Sequence, residues 1–284
     1  MLNVALAVLS GLIWGIGDFA GGKATQRAGA LLVVWVSKLV SLPLLAIYLI
    51  AMYVPITPIG LTWGAMAGVA GLVGLVLFYR ALSAGAMTIV APVTGVTSAA
   101  IPVVVGLVWG ERPSGARLLG IGCALLAIAL VSIAPNPSGR PQVVSWRLIA
   151  VALGSGAGFG LFFILLAVAN EAAGGSVGLW PIAGSQLSAL IIGGLLILMV
   201  RPGPWPRGVG LRFTMVAGPC DMTANALFLL AARTGDLSIV APLAALYPVT
   251  TVILALVIDH ERLRGVQIAG LAFAVAALVL VSSQ

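Results

Sequence analysis

Three ionisable side chains stand where the surrounding sequence leaves no water for them: Asp18, Lys38 and Asp221. Asp221 is flanked by "AGPC" and "MTANALF", near the middle of a long apolar run. A charge at the centre of a bilayer costs on the order of 2.5–3.5 kcal/mol on insertion scales, so such residues turn to a bundle interior and mark ion or substrate paths. Asn225 lies one helical turn beyond Asp221 on the same face, and Gly218 and Thr214 continue that stripe backward. Lys38 and Asp221 together match a zwitterion, or Asp221 alone matches a proton carrier. The plainer alternative is an Asp–Lys pair that only stabilises packing. Asp18 follows "GLIWGIG", in which Gly11 and Gly15 permit close helix approach and Trp14 supplies a ring. Gln186, also mid-run, is a neutral candidate for the same site.

The surroundings of these residues are lipid. The chain has 284 residues, of which 61% are hydrophobic and 7% charged, and its mean hydropathy is +1.20. A soluble domain carries about 25% charge, so this chain cannot cover itself with polar surface. The net charge of +7 comes from single basic residues between apolar runs, the pattern of interface anchors rather than of a nucleic-acid surface. Cys123 and Cys220 both lie inside apolar runs, and the lone His260 sits between Asp259 and Glu261. Neither a disulfide framework nor a metal site is expected. The start, "MLNVALAVLSGLIW", has no basic n-region, so no cleavable signal is expected.

Runs of about 20 apolar residues place ten helices at 3–21, 30–52, 59–82, 86–108, 115–134, 148–168, 177–199, 209–231, 237–258 and 266–283, separated by turn-rich stretches such as "APNPSGRP" and "RPGPWPRG". Sliding the chain by 150 aligns 60–134 with 210–284 without a gap, with about 21 identities over about 75 positions where this composition gives about 8 by chance. "IVAP" meets "IVAP", Phe78 meets Phe228, and Glu111-Arg112 meets Glu261-Arg262. The repeat sets Asp221 opposite Gly71, Lys38 opposite Gln186 and Asp18 opposite Leu161, so no charged residue of the trio has a charged mate. Five helices per copy is an odd number, so the second copy enters the membrane from the opposite side. The expected fold is an all-α polytopic membrane protein of ten transmembrane helices in two inverted five-helix repeats: 1–134 (helices 1–5), a linker at 135–147, and 148–284 (helices 6–10).

Pro92, Pro102, Pro242 and Pro248 remove backbone donors inside the fourth and ninth helices. They are read as bends lining a central cavity, with packing kinks as the alternative. Thr94, Thr97, Ser98 and Tyr247 are the candidate lining groups there, although Thr and Ser also bond their own helix backbone. Each Glu-Arg pair ends one helix and begins the next. The Glu suits the N-terminus of the helix that follows, and the Arg reaches the headgroups.

The stretch "SIVAPLAALYPVTTVILALVIDHERLRGVQIAG" resembles the EamA repeat of the drug/metabolite transporter superfamily, and Pro242, Pro248, Glu261 and Gln267 fall where that pattern has Pro, Pro, Glu and Gln. The first copy departs from it, with Ser98 in the place of the second proline and Pro102 one turn later. The resemblance implies two repeats in ten helices, a small organic metabolite or drug as cargo, export, and termini in the cytoplasm. The basic residues give the opposite orientation. Arg112, Arg117 and Arg233 fall on the side of the termini, against Lys23, Arg27, Arg80, Arg140, Arg147, Arg201, Arg207, Arg212, Arg262 and Arg264 on the other. The expected partners are a small-molecule substrate and a lipid bilayer, that of a bacterial inner membrane, with no nucleic acid and no cofactor. No G-x-x-x-x-G-K-[ST] loop occurs, so an ion or substrate gradient must supply the energy. The alternative is an intramembrane enzyme or flippase acting on a lipid or prenyl substrate. An enzyme would need a cluster of acids, His or metal ligands, and no catalytic constellation of that kind is found.

Overall fold

A computed structural model describes residues 1–83, 87–133, 145–174, 177–200, 203–258 and 264–282. These form twelve helical segments: α1 (Leu2–Thr25), α2 (Ala30–Val40), α3 (Leu42–Ala51), α4 (Pro58–Ser83), α5 (Met87–Val108), α6 (Gly115–Val131), α7 (Trp146–Ala172), α8 (Trp180–Met199), α9 (Gly208–Ala232), α10 (Leu237–Ala244), α11 (Tyr247–Ile258) and α12 (Gly265–Ser282). Nine stretches among the described residues are long and apolar enough to cross a membrane, and α6 is a shorter apolar helix in the place of the fifth span. The ten expected spans are thus ten helical stretches, two of which are interrupted. Glu261-Arg262, His260 and most of the 135–147 linker lie outside the described residues.

Proline chemistry accounts for both interruptions. Pro43 stands in the first turn of α3, where its missing N–H and its ring end the α2 ladder. The Ser41 hydroxyl donates to the Lys38 carbonyl at 2.9 Å. This break was not foreseen from the sequence. In the ninth span Pro248 follows the first residue of α11, and the chain turns through Ala245–Leu246. Pro242 lies inside α10. The fourth span behaves differently, because α5 runs as one helix through Pro92 and Pro102.

The packing follows the repeat. α1 lies along α9, and its counterpart α7 lies along α4; α2 against α9 is matched by α8 against α4; α6 and α12 pair with each other. Individual contacts obey the same exchange. The Ser10 hydroxyl donates to the Ala224 carbonyl at 2.8 Å, and the Ser155 hydroxyl donates to the Gly74 carbonyl at 2.8 Å. A methyl added at Gly11 would meet the Ala244 carbonyl oxygen at 2.8 Å, and one at Gly156 would meet that of Thr94 at 2.7 Å. Backbones approach this closely only where a Cβ is missing, which is how helices associate in lipid, where water does not drive them together. This register shifts one pairing. Ser10 takes the place of Ser155, so Asp18 takes the place of Phe163 and not of Leu161.

Burial is graded along the bundle. All eight residues of α10 are buried, whereas α11 has no buried residue. α10 packs against α1, α5, α6, α7 and α9, while α11 packs chiefly against α1 and α6. Three rings close the centre at the level of α10: Trp14 lies 5.4 Å from Phe163 and 6.0 Å from Phe228, and Phe163 lies 4.7 Å from Phe228. Such tilted pairs are worth about 0.5–1.5 kcal/mol beyond the area they bury.

Candidate functional site

One turn from this aromatic floor, toward the end opposite the termini, lies a layer of polar side chains. The α2–α9 crossing builds it. Gly218 leaves room for the Ser37 carbonyl, where any Cβ would collide. The next residue of α2, Lys38, then reaches across to α9. Its Nζ lies 2.5 Å from Asp221 Oδ2. The side chains are 22% and 34% exposed, so the pair is neither sealed in a dry contact nor fully hydrated. Gln186 of α8 ties the layer to a third helix. Its Nε2 donates to the Lys38 carbonyl at 2.7 Å and to Ser41 Oγ at 2.5 Å. The broken second span therefore has a local use, because the carbonyl and hydroxyl at the break bind Gln186.

Asn225 is buried. Its Nδ2 donates to the Asp221 carbonyl at 2.6 Å, which fixes the amide orientation and leaves Oδ1 buried without a hydrogen-bond partner. Asp18 is exposed although its neighbour Gly17 faces α9, where an added methyl would meet Cys220 Cβ at 3.1 Å and the Asp221 amide nitrogen at 3.7 Å. Gly15, on the other side of the helix, faces Tyr247 and Thr250 of α11. At 3.6 residues per turn, Asp18 points between these two contacts, into the wedge between α9 and α11. Asp221 and Tyr247 are both its electrostatic neighbours. Among the described residues Asp18 forms no ion pair and accepts no hydrogen bond.

The remaining candidates are placed as follows. Trp14 belongs to the floor. Tyr247 begins α11 beside Asp18. Thr94 donates to the Ala152 carbonyl at 3.1 Å and Ser98 to the Gly95 carbonyl at 2.8 Å, both buried. Their hydroxyls serve helix contacts and are not brought to the ion pair. Pro102 and the Ser98 carbonyl abut Gly160 of α7. Ser41 and Phe163 were missed as participants. A proline two residues past Ser41 was the available signal for the first, and nothing short of the packing register marks the second. No group of three or more His, Cys, Asp or Glu side chains that could hold a metal comes together among the described residues.

Glu111 departs from the sequence reading. It does not cap the helix that follows it, since Ser114 does, its Oγ accepting from the Arg117 amide at 3.5 Å. Glu111 instead accepts the Leu237 and Ser238 amides at 2.7 and 2.8 Å. It caps α10, the first half of the broken ninth span, in the other repeat. The physical preference for a carboxylate at a helix N-terminus holds, but it is met by a helix distant in sequence.

A bundle of apolar spans, paired by a two-copy exchange and carrying a partly exposed charge layer, defines a polytopic membrane protein. The chain belongs to the EamA-like transporter family, whose model matches residues 1–133 and again 146–283. A solved structure titled "Crystal structure of protein" shares the fold with a TM-score of 0.80 at 17% identity, covering 99% of this chain and 96% of that one. No curated protein matches.

Proposed function

We propose that the chain is a secondary carrier that moves a small organic molecule across a bacterial inner membrane by alternating access, with residues 1–134 and 148–284 as the two units that rearrange. Export is the direction that the family resemblance suggests. The observation that supports this reading best is the Lys38–Asp221 pair: it joins one repeat to the other, at mid-span, with partial exposure, and its repeat counterparts Gln186 and Gly71 are uncharged. A pair kept only for scaffold symmetry would be matched in the second copy. A pair kept only for packing gains little, because the desolvation penalty of two charges offsets their attraction. Charge at this level is useful when a substrate or ion exchanges with it as the repeats rearrange.

The test is flux in proteoliposomes preloaded with metabolite mixtures, with and without a pH gradient. Saturable, gradient-dependent movement of at least one solute, lost in Asp221→Asn protein of normal stability, is the expected result. Normal flux and normal gradient dependence from stable Asp221→Asn protein would overturn the role given to Asp221. Chemical conversion of a lipid with no solute movement would favour an intramembrane enzyme.

A further inference from the structure

The charge and hydrogen-bond inventory of the site points beyond a generic organic substrate. Of the three charged groups in the layer among the described residues, Lys38 and Asp221 are committed to each other. Asp18 remains, and with both acids ionised the layer carries one uncompensated negative charge. Two more groups nearby lack a partner: Thr250 Oγ1, buried on α11 against Gly15, and Asn225 Oδ1, buried and without a donor, on the turn of α9 between Asp221 and the aromatic floor. On α9, Asp221, Asn225 and Phe228 share one face at helical spacing; on α1, Trp14 and Asp18 share another. The Trp14–Phe228 contact joins the two faces at the floor, and Gly17 beside Cys220 holds them together at the level of Asp18. Ionised Asp18 and Asn225 Oδ1 can only accept, the Thr250 hydroxyl can donate or accept, and the three border one wedge that ends in rings.

We propose that Asp18 and Asn225 Oδ1 form the subsite for a protonated amine, and that the transported class is a small organic ammonium compound carrying N–H donors. This rests on the carrier reading above and narrows it. Two features of the ligand follow from the chemistry. A buried amide oxygen needs a donor, so a primary or secondary ammonium suits the wedge and a quaternary one leaves Asn225 unsatisfied. A carboxylate on the ligand is repelled by the uncompensated acid, while Lys38, the one cation of the layer among the described residues, is already paired. The structure therefore favours a simple amine over a zwitterion. The apolar body of such an amine lies toward Trp14 and Tyr247, the ring-bearing residues next to Asp18 on α1 and α11.

The test uses full-length protein in nanodiscs and four probes of one shape: phenethylamine, its N,N,N-trimethyl analogue, 3-phenylpropionate and phenylalanine. Saturable binding is followed by thermal shift and by Trp fluorescence. Phenethylamine is expected to bind at least tenfold more tightly than the other three. Asp18→Asn is expected to weaken it at least tenfold, Asn225→Leu is expected to remove the preference over the trimethyl analogue, and Glu111→Gln is expected to leave affinity unchanged. Equal binding of the acid or of phenylalanine, no binding of the amine, or full affinity in stable Asp18→Asn protein would each overturn the proposal. Proteoliposome flux separates the two levels of inference. Amine binding that depends on Asp18 without any solute flux sinks the carrier reading and leaves the subsite standing. Flux of other solutes that excess phenethylamine does not inhibit sinks the subsite and leaves the carrier.

Discussion

At the scale of single residues, the Lys38–Asp221 pair sits between two regimes. A fully exposed pair is worth about 0–1 kcal/mol, and breaking a buried one by removing a partner costs about 3–5 kcal/mol. With a third of the Asp221 side chain exposed, Asp221→Asn is expected to cost about 1–2 kcal/mol and to abolish flux. Lys38→Met in the same chain is expected to recover the stability, since it removes the orphaned ammonium, but not the flux. Melting curves of the two single variants and the double, with flux on each, check this. A double variant no more stable than Asp221→Asn would show that the pair carries no coupling. Glu111 offers a contrast. Its carboxylate takes two backbone amides at a helix N-terminus, a charge-assisted arrangement of the stronger kind. Glu111→Gln is expected to lower stability by about 1–2 kcal/mol while leaving the affinity of the central site unchanged.

At the scale of elements, missing side chains set the distances between helices. Gly218 admits the Ser37 backbone and so places Lys38 opposite Asp221; its counterpart Gly68 admits Ser185. Gly218→Ala forces α2 away from α9 and is expected to cost about 1–3 kcal/mol by overpacking, with loss of flux from displacement of Lys38. Gly22→Ala, one turn past Asp18 on α1 with nothing within 4 Å of the added methyl, is expected to be neutral or slightly stabilising, because Ala is the better helix former. Thermal stability and flux of the two variants check the contrast. Equal losses would mean that helix propensity and not close packing governs the crossing.

At the scale of the whole molecule, burial falls from the level of α10 to that of α11, with the aromatic floor between. From this gradient the charge layer is expected to be reached from the end opposite the termini. With Cys123 and Cys220 replaced by Ala, a cysteine introduced at Asp18 is expected to react with a membrane-impermeant thiol reagent applied from the end opposite the termini. One at Ser10, buried against the Ala224 carbonyl, is expected to be protected from both ends. Labelling rates in sided vesicles measure this. Fast labelling at position 10 together with protection at position 18 would reverse the assigned opening.

The sequence by itself determined the solvent, the ten spans, the two-copy organisation and the three charges that stand apart from the repeat. Each of these is a local or periodic property. Hydropathy needs only about 20 adjacent residues to make a span, and a repeat is visible because both copies keep several glycines and the Ile-Val-Ala-Pro run in register. Tertiary structure alone decided the partners. Lys38 meets Asp221 because Gly218 lets two backbones touch, a fact that spacing along either helix does not contain. Asp18 corresponds to Phe163 because Ser10 and Ser155 make the equivalent contacts across the repeats, so the second copy offers a ring where the first offers an acid. Glu111 caps α10 rather than α6 because Ser114 already satisfies the nearer helix, and because the exchange of repeats brings the distant amides to its carboxylate. The break at Ser41 was within reach of the sequence through Pro43. Its purpose was not, since the groups it exposes bind Gln186, a residue of the other repeat.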